Sequence, residues 1–298
     1  MNRVLVTGSS GKLGRAVVAH LAEHGWHVVA ADRTPDPARA PWPAPVGTGS
    51  ITFIRADLND FGQMLELMTR VDDRHDQIDA VVHLAAIPAP GLQTNSATFA
   101  NNMVVSHNVF AAARTAGIKN VVWASSETVL GLPFETPPPY VPVDEEYDPR
   151  PESTYSLVKT LEETMVAQFC RWQPELKAVG LRFSNVMYPE DYAAFPGYDK
   201  DPEARKWNLW GYIDARDGAQ AGRLALEYQV PGREVFIIAN ADTVSDRPNT
   251  ELLDVAFPDV ERRGEIGVHD TLLSIDKARR LLGYEPHHSW RQHVEREG

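Results

Sequence analysis

Short apolar runs alternate along the chain with stretches whose apolar residues recur every three to four positions. The runs predict strands near 2–7, 27–32, 51–56, 78–84, 120–125, 176–183 and 233–239. The periodic stretches predict helices near 11–24, 60–70, 96–116, 153–172, 217–228 and 274–282. Regular alternation of this kind predicts an α/β fold, a doubly wound parallel sheet with helices on both faces. Ala80-Val81-Val82-His83-Leu84 and Val121-Val122-Trp123-Ala124 are nearly continuous apolar runs. Strands covered on both faces read that way.

The first strand runs into Thr7-Gly8-Ser9-Ser10-Gly11-Lys12-Leu13-Gly14, and an amphipathic helix with Leu13, Val17, Val18 and Leu21 follows. A glycine turn feeding a helix N-terminus points backbone N–H groups and the positive end of the helix dipole at one place, a site for a dinucleotide pyrophosphate. Gly8 lets the chain turn, Gly11 lets backbone approach a ligand, and Gly14 lets the helix pack closely on the strand. The spacing excludes a P-loop, and Lys12 is followed by Leu13 rather than Ser or Thr. Asp32 ends the second strand, 18 residues after Gly14. A carboxylate there reaches adenosine ribose hydroxyls and repels a 2′-phosphate, which predicts NAD. Arg33 keeps NADP open as the alternative, because a guanidinium can accept that phosphate.

Three loops interrupt the rhythm. Residues 33–50 carry five prolines and are expected to border the adenosine; 131–152 are proline-rich; 187–216 are aromatic-rich. Long ordered loops in a compact enzyme shape a site. The formal net charge of −12 argues against a nucleic-acid partner. No apolar stretch approaches the ~20 residues that a membrane span needs. The chain opens Met-Asn-Arg-Val straight into a strand, without an apolar leader, and Cys170 is its single cysteine. Both features predict a cytoplasmic protein. The histidines show no metal-ligand spacing, so no metal is expected, and His287-His288 reads as a solvated tail.

Tyr155 and Lys159 stand at i and i+4 on one helix face. An ammonium near a phenol favours the phenolate and is expected to lower the tyrosine pKa toward working pH, giving a general acid or base. Ser125 and Ser126 end the fifth strand, and strand carboxyl ends face the ligand crevice of an open parallel sheet.

The glycine turn, Asp32, Asp57-Leu58, His83-Leu84-Ala85-Ala86, Asn102, Ser125-Ser126 with Gly131, Tyr155/Lys159 and Arg182-Phe183-Ser184-Asn185 occur in one order. Together they resemble the extended short-chain dehydrogenase/reductases, the NAD-dependent epimerase/dehydratase group. The resemblance covers about residues 1–190 and returns at 276–286. It implies a Rossmann-type sheet with a small C-terminal substrate-binding lobe. The dinucleotide-binding domain would be 1–180, with 217–240 completing the sheet; 181–216 and 241–298 would form the lobe.

The resemblance implies Ser126, Tyr155 and Lys159 as the catalytic set. Gly8, Ser10, Gly11, Lys12, Leu13, Gly14, Asp32 and Arg33 would contact the cofactor, and Asp57 and Leu58 its adenine. Leu84, Ala85 and Ala86 would lie along the cofactor, with Asn102 supporting that side and Lys159 also binding the nicotinamide ribose. Phe183, Ser184 and Val186 would border the nicotinamide, and Asn185 would face the substrate. Two departures stand out. Glu127 follows the catalytic serine where a small residue is usual, placing a carboxylate in the substrate pocket. The loop 187–216 is short and acidic, with Glu190, Asp191, Asp199, Asp201, Glu203 and Asp214 against Lys200, Arg205, Lys206 and Arg216. Nucleotide-sugar enzymes of the group carry a longer lobe with arginines for the diphosphate.

The implied reaction is hydride transfer at a secondary alcohol of a sugar or sugar derivative, of epimerase/dehydratase type. A dehydrogenase of a free sugar, uronate or other polyol that releases NADH is the second reading, and a non-catalytic dinucleotide sensor the third. A homodimer is expected as well. The helices near 96–116 and 153–172 are apolar on more than one side, through Phe99, Met103, Val104, Val109 and Phe110 and through Leu157, Leu161, Met165, Val166 and Phe169.

Overall fold

The computed structural model describes residues 3–34, 47–70 and 77–293. The chain order is β1 (Arg3–Thr7), α1 (Lys12–Glu23), β2 (His27–Asp32), β3 (Ser50–Arg55), α2 (Phe61–Thr69), β4 (Ala80–His83), α3 (Asn95–Ala116) and β5 (Asn120–Ser126). Then follow β6 (Tyr140–Val141), α4 (Thr154–Trp172), β7 (Lys177–Phe183), β8 (Val186–Met187), α5 (Phe195–Tyr198), β9 (Ile213–Asp214) and α6 (Ala215–Glu227). The chain closes with β10 (Gly232–Ile238), α7 (Asn249–Ala256), β11 (Glu261–Arg262) and α8 (Asp276–Leu282).

Seven strands form one sheet in the order β10-β7-β5-β4-β1-β2-β3, every pair parallel. The strand order reverses between β1 and β4, and an open sheet offers its ligand crevice at such a switch point. Strand alternation sends Val4 and Val6 to one face, where they pack with Val17 and Leu21 of α1 and Ala221 of α6. Leu5 points to the other face, toward Met64 of α2 and Val109 and Phe110 of α3. Two cores, one on each face, make the sheet doubly wound.

The helices start where a short polar side chain can accept orphan N–H groups. Asp60 accepts from Gly62 and Gln63 at α2, Thr94 from Ala97 at α3, and Ser153 forms a capping box with Ser156 at α4. α1 differs: no side chain caps Gly11 at its N-terminus.

The C-terminal segment shares a core with the α1/α6 face through Trp210, Leu252, Phe257, Tyr284 and Trp290. It holds α7, which is not among the helices predicted from the sequence. The paired two-residue strands β6/β11 and β8/β9 are also invisible to a periodicity argument. His288 is not solvated tail as expected: its Nδ1 lies 2.8 Å from Asp217 Oδ1, and the backbone N–H groups of His287 and His288 donate to the same carboxylate. A buried carboxylate on α6 needs partners, and the tail supplies them. Most of the proline-rich segment 33–50 lies outside the described residues.

Candidate active site

A cleft of about 630 Å³ opens over the carboxyl ends of β1, β4, β5 and β7. Gly8, Gly11, Lys12, Leu13, Gly14, Asp32 and Arg33 line one end. Asp57, Leu58, Leu84, Ala85 and Ala86 follow, and Ser126, Glu127, Tyr155, Lys159, Phe183, Ser184, Asn185 and Val186 complete the other end.

The glycine turn is a close-packed joint. Gly8 has φ +69°, and a Cβ there would stand 2.6 Å from Ala85 N. A Cβ on Gly14 would stand 2.1 Å from Gly8 O. Only hydrogen fits at either position, so β1, its turn and α1 meet backbone to backbone. The Asp32 carboxylate is held beside this turn by the N–H of Ser10 at 3.1 Å and its neighbour Arg33 N–H at 2.7 Å. An uncapped helix start, a glycine cradle and a strand-end carboxylate in one wall fit a dinucleotide.

Lys12 lines this wall but is not an unattached cation. Its ammonium lies 2.7 Å from Asp191 and 5.3 Å from the Tyr188 ring centre, while the Tyr188 hydroxyl donates to Lys12 O at 2.6 Å. The glycine turn is thereby strapped to the loop after β8.

Two residues expected to touch a cofactor stand behind the wall instead. The Ser10 backbone positions Asp32, but Ser10 does not line the cleft. Asn102 is fully buried; its Oδ1 accepts from Ile87 N at 2.8 Å and its Nδ2 donates to Ile87 O at 3.1 Å. Helical rotation turns Asn102 inward, where it clamps the loop after β4, and brings Asn101 to the cleft.

Tyr155 and Lys159 lie at the start of α4, and Ser126 ends β5. Ser126 Oγ accepts from Thr128 N–H at 3.2 Å and Thr128 Oγ1 at 3.0 Å, and the same side chain favours the Tyr155 phenolate. The Lys159 ammonium sits 5.9 Å from the Tyr155 ring centre. It donates to Ala124 O and Glu162 Oε2, each at 2.9 Å. Burial raises the Tyr155 phenol above the ordinary tyrosine range, Lys159 and Ser126 pull it back, and Glu162 and Glu127 push it up. The lysine acts in the expected direction, but desolvation outweighs it. Burial opposes charge on Lys159 too, yet Glu162 and Tyr155 overcome this and raise it, so it stays an ammonium.

Behind Lys159 runs a buried polar chain. Ser106 Oγ donates to Glu162 Oε1 at 2.7 Å and lies 3.1 Å from His83 Nε2; His83 Nδ1 lies 2.7 Å from Thr7 Oγ1. Burial, then Lys159, hold His83 down at about 3, so it is neutral. Glu163, the next residue, instead takes Arg182 at 2.9 and 2.8 Å and Ser125 at 2.6 Å. Sequence spacing does not separate the jobs of these adjacent glutamates. Helix rotation does: Glu162 faces α3 and Lys159, while Glu163 faces β5 and β7.

Glu127 lines the cleft while being 3% exposed. Ser184 Oγ donates to it at 2.5 Å and Asn208 Nδ2 at 3.2 Å, and the Asn185 backbone N–H adds a third bond. Burial pushes this carboxyl up to about 7 against those three donors and the nearby Arg205 charge. Arg205, Asn208 and Trp207 come from the loop before β9 and were not predicted; an Arg in an acidic, aromatic loop carries no spacing signal.

The model of the NAD dependent epimerase/dehydratase family matches residues 4–203. The UDP-glucose 4-epimerase of Rhizobium meliloti is 25% identical over 96% of this chain and 92% of its own length. That of Cyamopsis tetragonoloba is 27% identical over 70% of this chain, a match spanning 58% of that relative. Among solved structures, MoeE5 in complex with UDP-glucose and NAD superimposes with a TM-score of 0.70 at 25% identity, covering 98% of this chain and 95% of that one. A mutated uronate dehydrogenase superimposes with a TM-score of 0.65 at 22% identity, covering 99% and 86%.

Proposed function

The chain belongs to the NAD dependent epimerase/dehydratase family, and from that premise we propose an NAD-dependent oxidoreductase that acts on a secondary alcohol of a sugar or sugar derivative. The observation that carries this reading is the convergence of Ser126, Tyr155 and Lys159 on the cleft whose other end holds the glycine turn and Asp32. A sensor that only binds a dinucleotide has no use for that set. UDP-sugar relatives support an epimerase-type reaction. A neighbour described as a uronate dehydrogenase supports a plain dehydrogenase as the second reading.

NAD, when bound, supplies a hydride acceptor whose oxidised ring carries a positive charge, the same sign as Lys159. Asp32 would take the adenosine ribose hydroxyls, Asp57 and Leu58 the adenine side, and Phe183, Ser184 and Val186 the nicotinamide side. Tyr155 takes the proton of the reacting hydroxyl and Ser126 holds the same oxygen. Lys159 stabilises the Tyr155 phenolate that accepts this proton and becomes the phenol, and Glu162 anchors the ammonium. Ser184, Asn185 and Trp207 of segment 181–216 supply the substrate wall, and no described residue of 241–298 lines the cleft.

Tyr155→Phe tests the assignment. It should lower turnover by about 10²–10⁴-fold while calorimetry finds NAD affinity nearly unchanged. Near-normal turnover in that variant would remove Tyr155 from the chemistry.

We also read the protein as a homodimer. Val109, Phe110, Val166 and Phe169 are buried, while Phe99, Val104 and Leu157 are about 40% exposed on the outer faces of α3 and α4. Two copies pairing those faces would cover them. Light scattering should give about twice 33.1 kDa, and a mass near 33.1 kDa excludes the pairing. A reducing compartment agrees with Cys170, a free thiol that burial pushes up to about 11.

A further inference from the structure

The substrate end of the cleft presents a carboxyl group held in one place. Glu127 stands beside Ser126, with its carboxylate fastened by Ser184, Asn208 and the Asn185 N–H. A carboxylate offers about four acceptor positions, so room remains for a hydroxyl entering from the cleft. Arg205, whose charge acts on Glu127, is 6% exposed and does not line the cleft. Its terminal nitrogens donate to Asn185 Oδ1, at 3.3 Å each, and to Gly211 O at 3.0 Å. Its guanidinium lies 4.8 Å from the Trp207 ring centre. Glu127 answers that charge from within the protein.

Among the described residues, the cations that line the cleft are Lys12, Arg33 and Lys159. Lys12 is paired with Asp191, Arg33 adjoins Asp32 at the nucleotide end, and Lys159 is bound to Glu162 beside Tyr155. Among the described residues, the substrate end therefore offers a hydroxyl acceptor and the indole of Trp207, and its cation, Lys159, is already held by Glu162 rather than free to meet a ligand anion.

Resting on the reading of this cleft as the active site, we propose that the substrate is a neutral polyhydroxylated compound, a free aldose or polyol. One of its hydroxyls donates to Glu127, and the same carboxylate turns away a substrate carboxylate or diphosphate.

Titration calorimetry of the NAD-saturated protein tests this with matched aldoses and alditols, the corresponding uronates, and UDP-glucose. At about pH 8, at least one neutral member should bind at least about tenfold more tightly than its acid counterpart and than UDP-glucose, because like charges are brought together only at a cost. Glu127→Gln should narrow the acid-to-neutral ratio by about tenfold. The wild type gives a second readout that needs no variant. Lowering the pH to about 6 protonates Glu127, whose carboxyl sits at about 7, so acid ligands should gain affinity relative to neutral ones. The other groups facing Glu127 are Ser184 and Asn185 after β7, Asn208 and Arg205 before β9, and Tyr155 on α4. None of these is an acid expected to change charge in that interval. Tighter binding of a uronate or UDP-glucose, no neutral binder, or an unchanged ratio in both Glu127→Gln and the pH series overturns the substrate class. A wild-type protein that does not bind NAD overturns the reading beneath it instead.

Discussion

At the nucleotide end of the cleft the wall is mostly backbone: Gly8, Gly11 and Gly14 bring β1, the turn and α1 together within a few residues of chain. At the substrate end the wall is side chains collected from far apart. Glu127 follows β5, Ser184 and Asn185 follow β7, and Asn208 comes from the loop before β9. The first end depends on the absence of atoms, since a Cβ on Gly14 would overlap Gly8 O. The second depends on the presence of charge inside the protein. A ligand-binding half built from backbone serves any ligand with the same phosphate chemistry. A half built from side chains can be retuned one residue at a time, and Glu127 sits at a position where such a change would act.

The contrast can be broken first at its charged end. In the folded chain Glu127 titrates at about 7, above its ordinary 4.5. Between those pH values the native state holds more protons than the unfolded state, so the group's contribution to stability falls as pH rises through the window. The loss amounts to roughly 3 kcal/mol once pH exceeds 7. Glu127→Gln should abolish that slope, whatever constant offset it adds. Denaturant titrations of both proteins from about pH 4.5 to 8 would show parallel curves if the carboxylate were not raised.

The backbone end is challenged by a single methyl group. Gly14→Ala should force the turn and helix apart at a cost of about 1–3 kcal/mol. Expressed at the cofactor site, that is roughly a 10- to 100-fold loss of NAD affinity. Calorimetry with NAD measures it, and unaltered affinity would show that the joint opens without resistance. The smallest effect is expected at Asp32. Asp32→Ala removes the charge that repels a 2′-phosphate and should narrow the preference for NAD over NADP by about tenfold. If wild-type protein binds NADP more tightly than NAD, Arg33 governs the choice rather than Asp32.

The difference between the two ends is also a difference in legibility. All seven sheet strands appear in the sequence as short, largely apolar runs; the inner strands β1, β4, β5 and β7 read so because both faces are buried, while the edge strand β3 is carried by Ile51, Phe53 and Ile54. The glycine turn and Asp32 are readable because their spacing is set by local geometry, one strand, one turn and one helix. Tyr155 and Lys159 are readable because one helical turn separates them. Ser10 and Asn102 were implied by the family resemblance, and the structure places them in support of Asp32 and Ile87 rather than in the wall. Which face a residue takes within a helix depends on what packs against it.

What the sequence by itself determined is the parallel sheet and the glycine turn with its strand-end carboxylate, and the Tyr155/Lys159 spacing that the structure brings to the same cleft. Each rests on periodicity or on contacts between residues near in the chain. Only the tertiary structure decided the electrostatics around those side chains. It set Glu162 rather than Glu163 against Lys159, and it buried Tyr155 enough to outweigh the lysine. It also closed Ser184, Asn185 and Asn208 around Glu127. Desolvation and Coulomb interactions act through space and depend on what excludes water at each point, and that is settled only when distant segments pack.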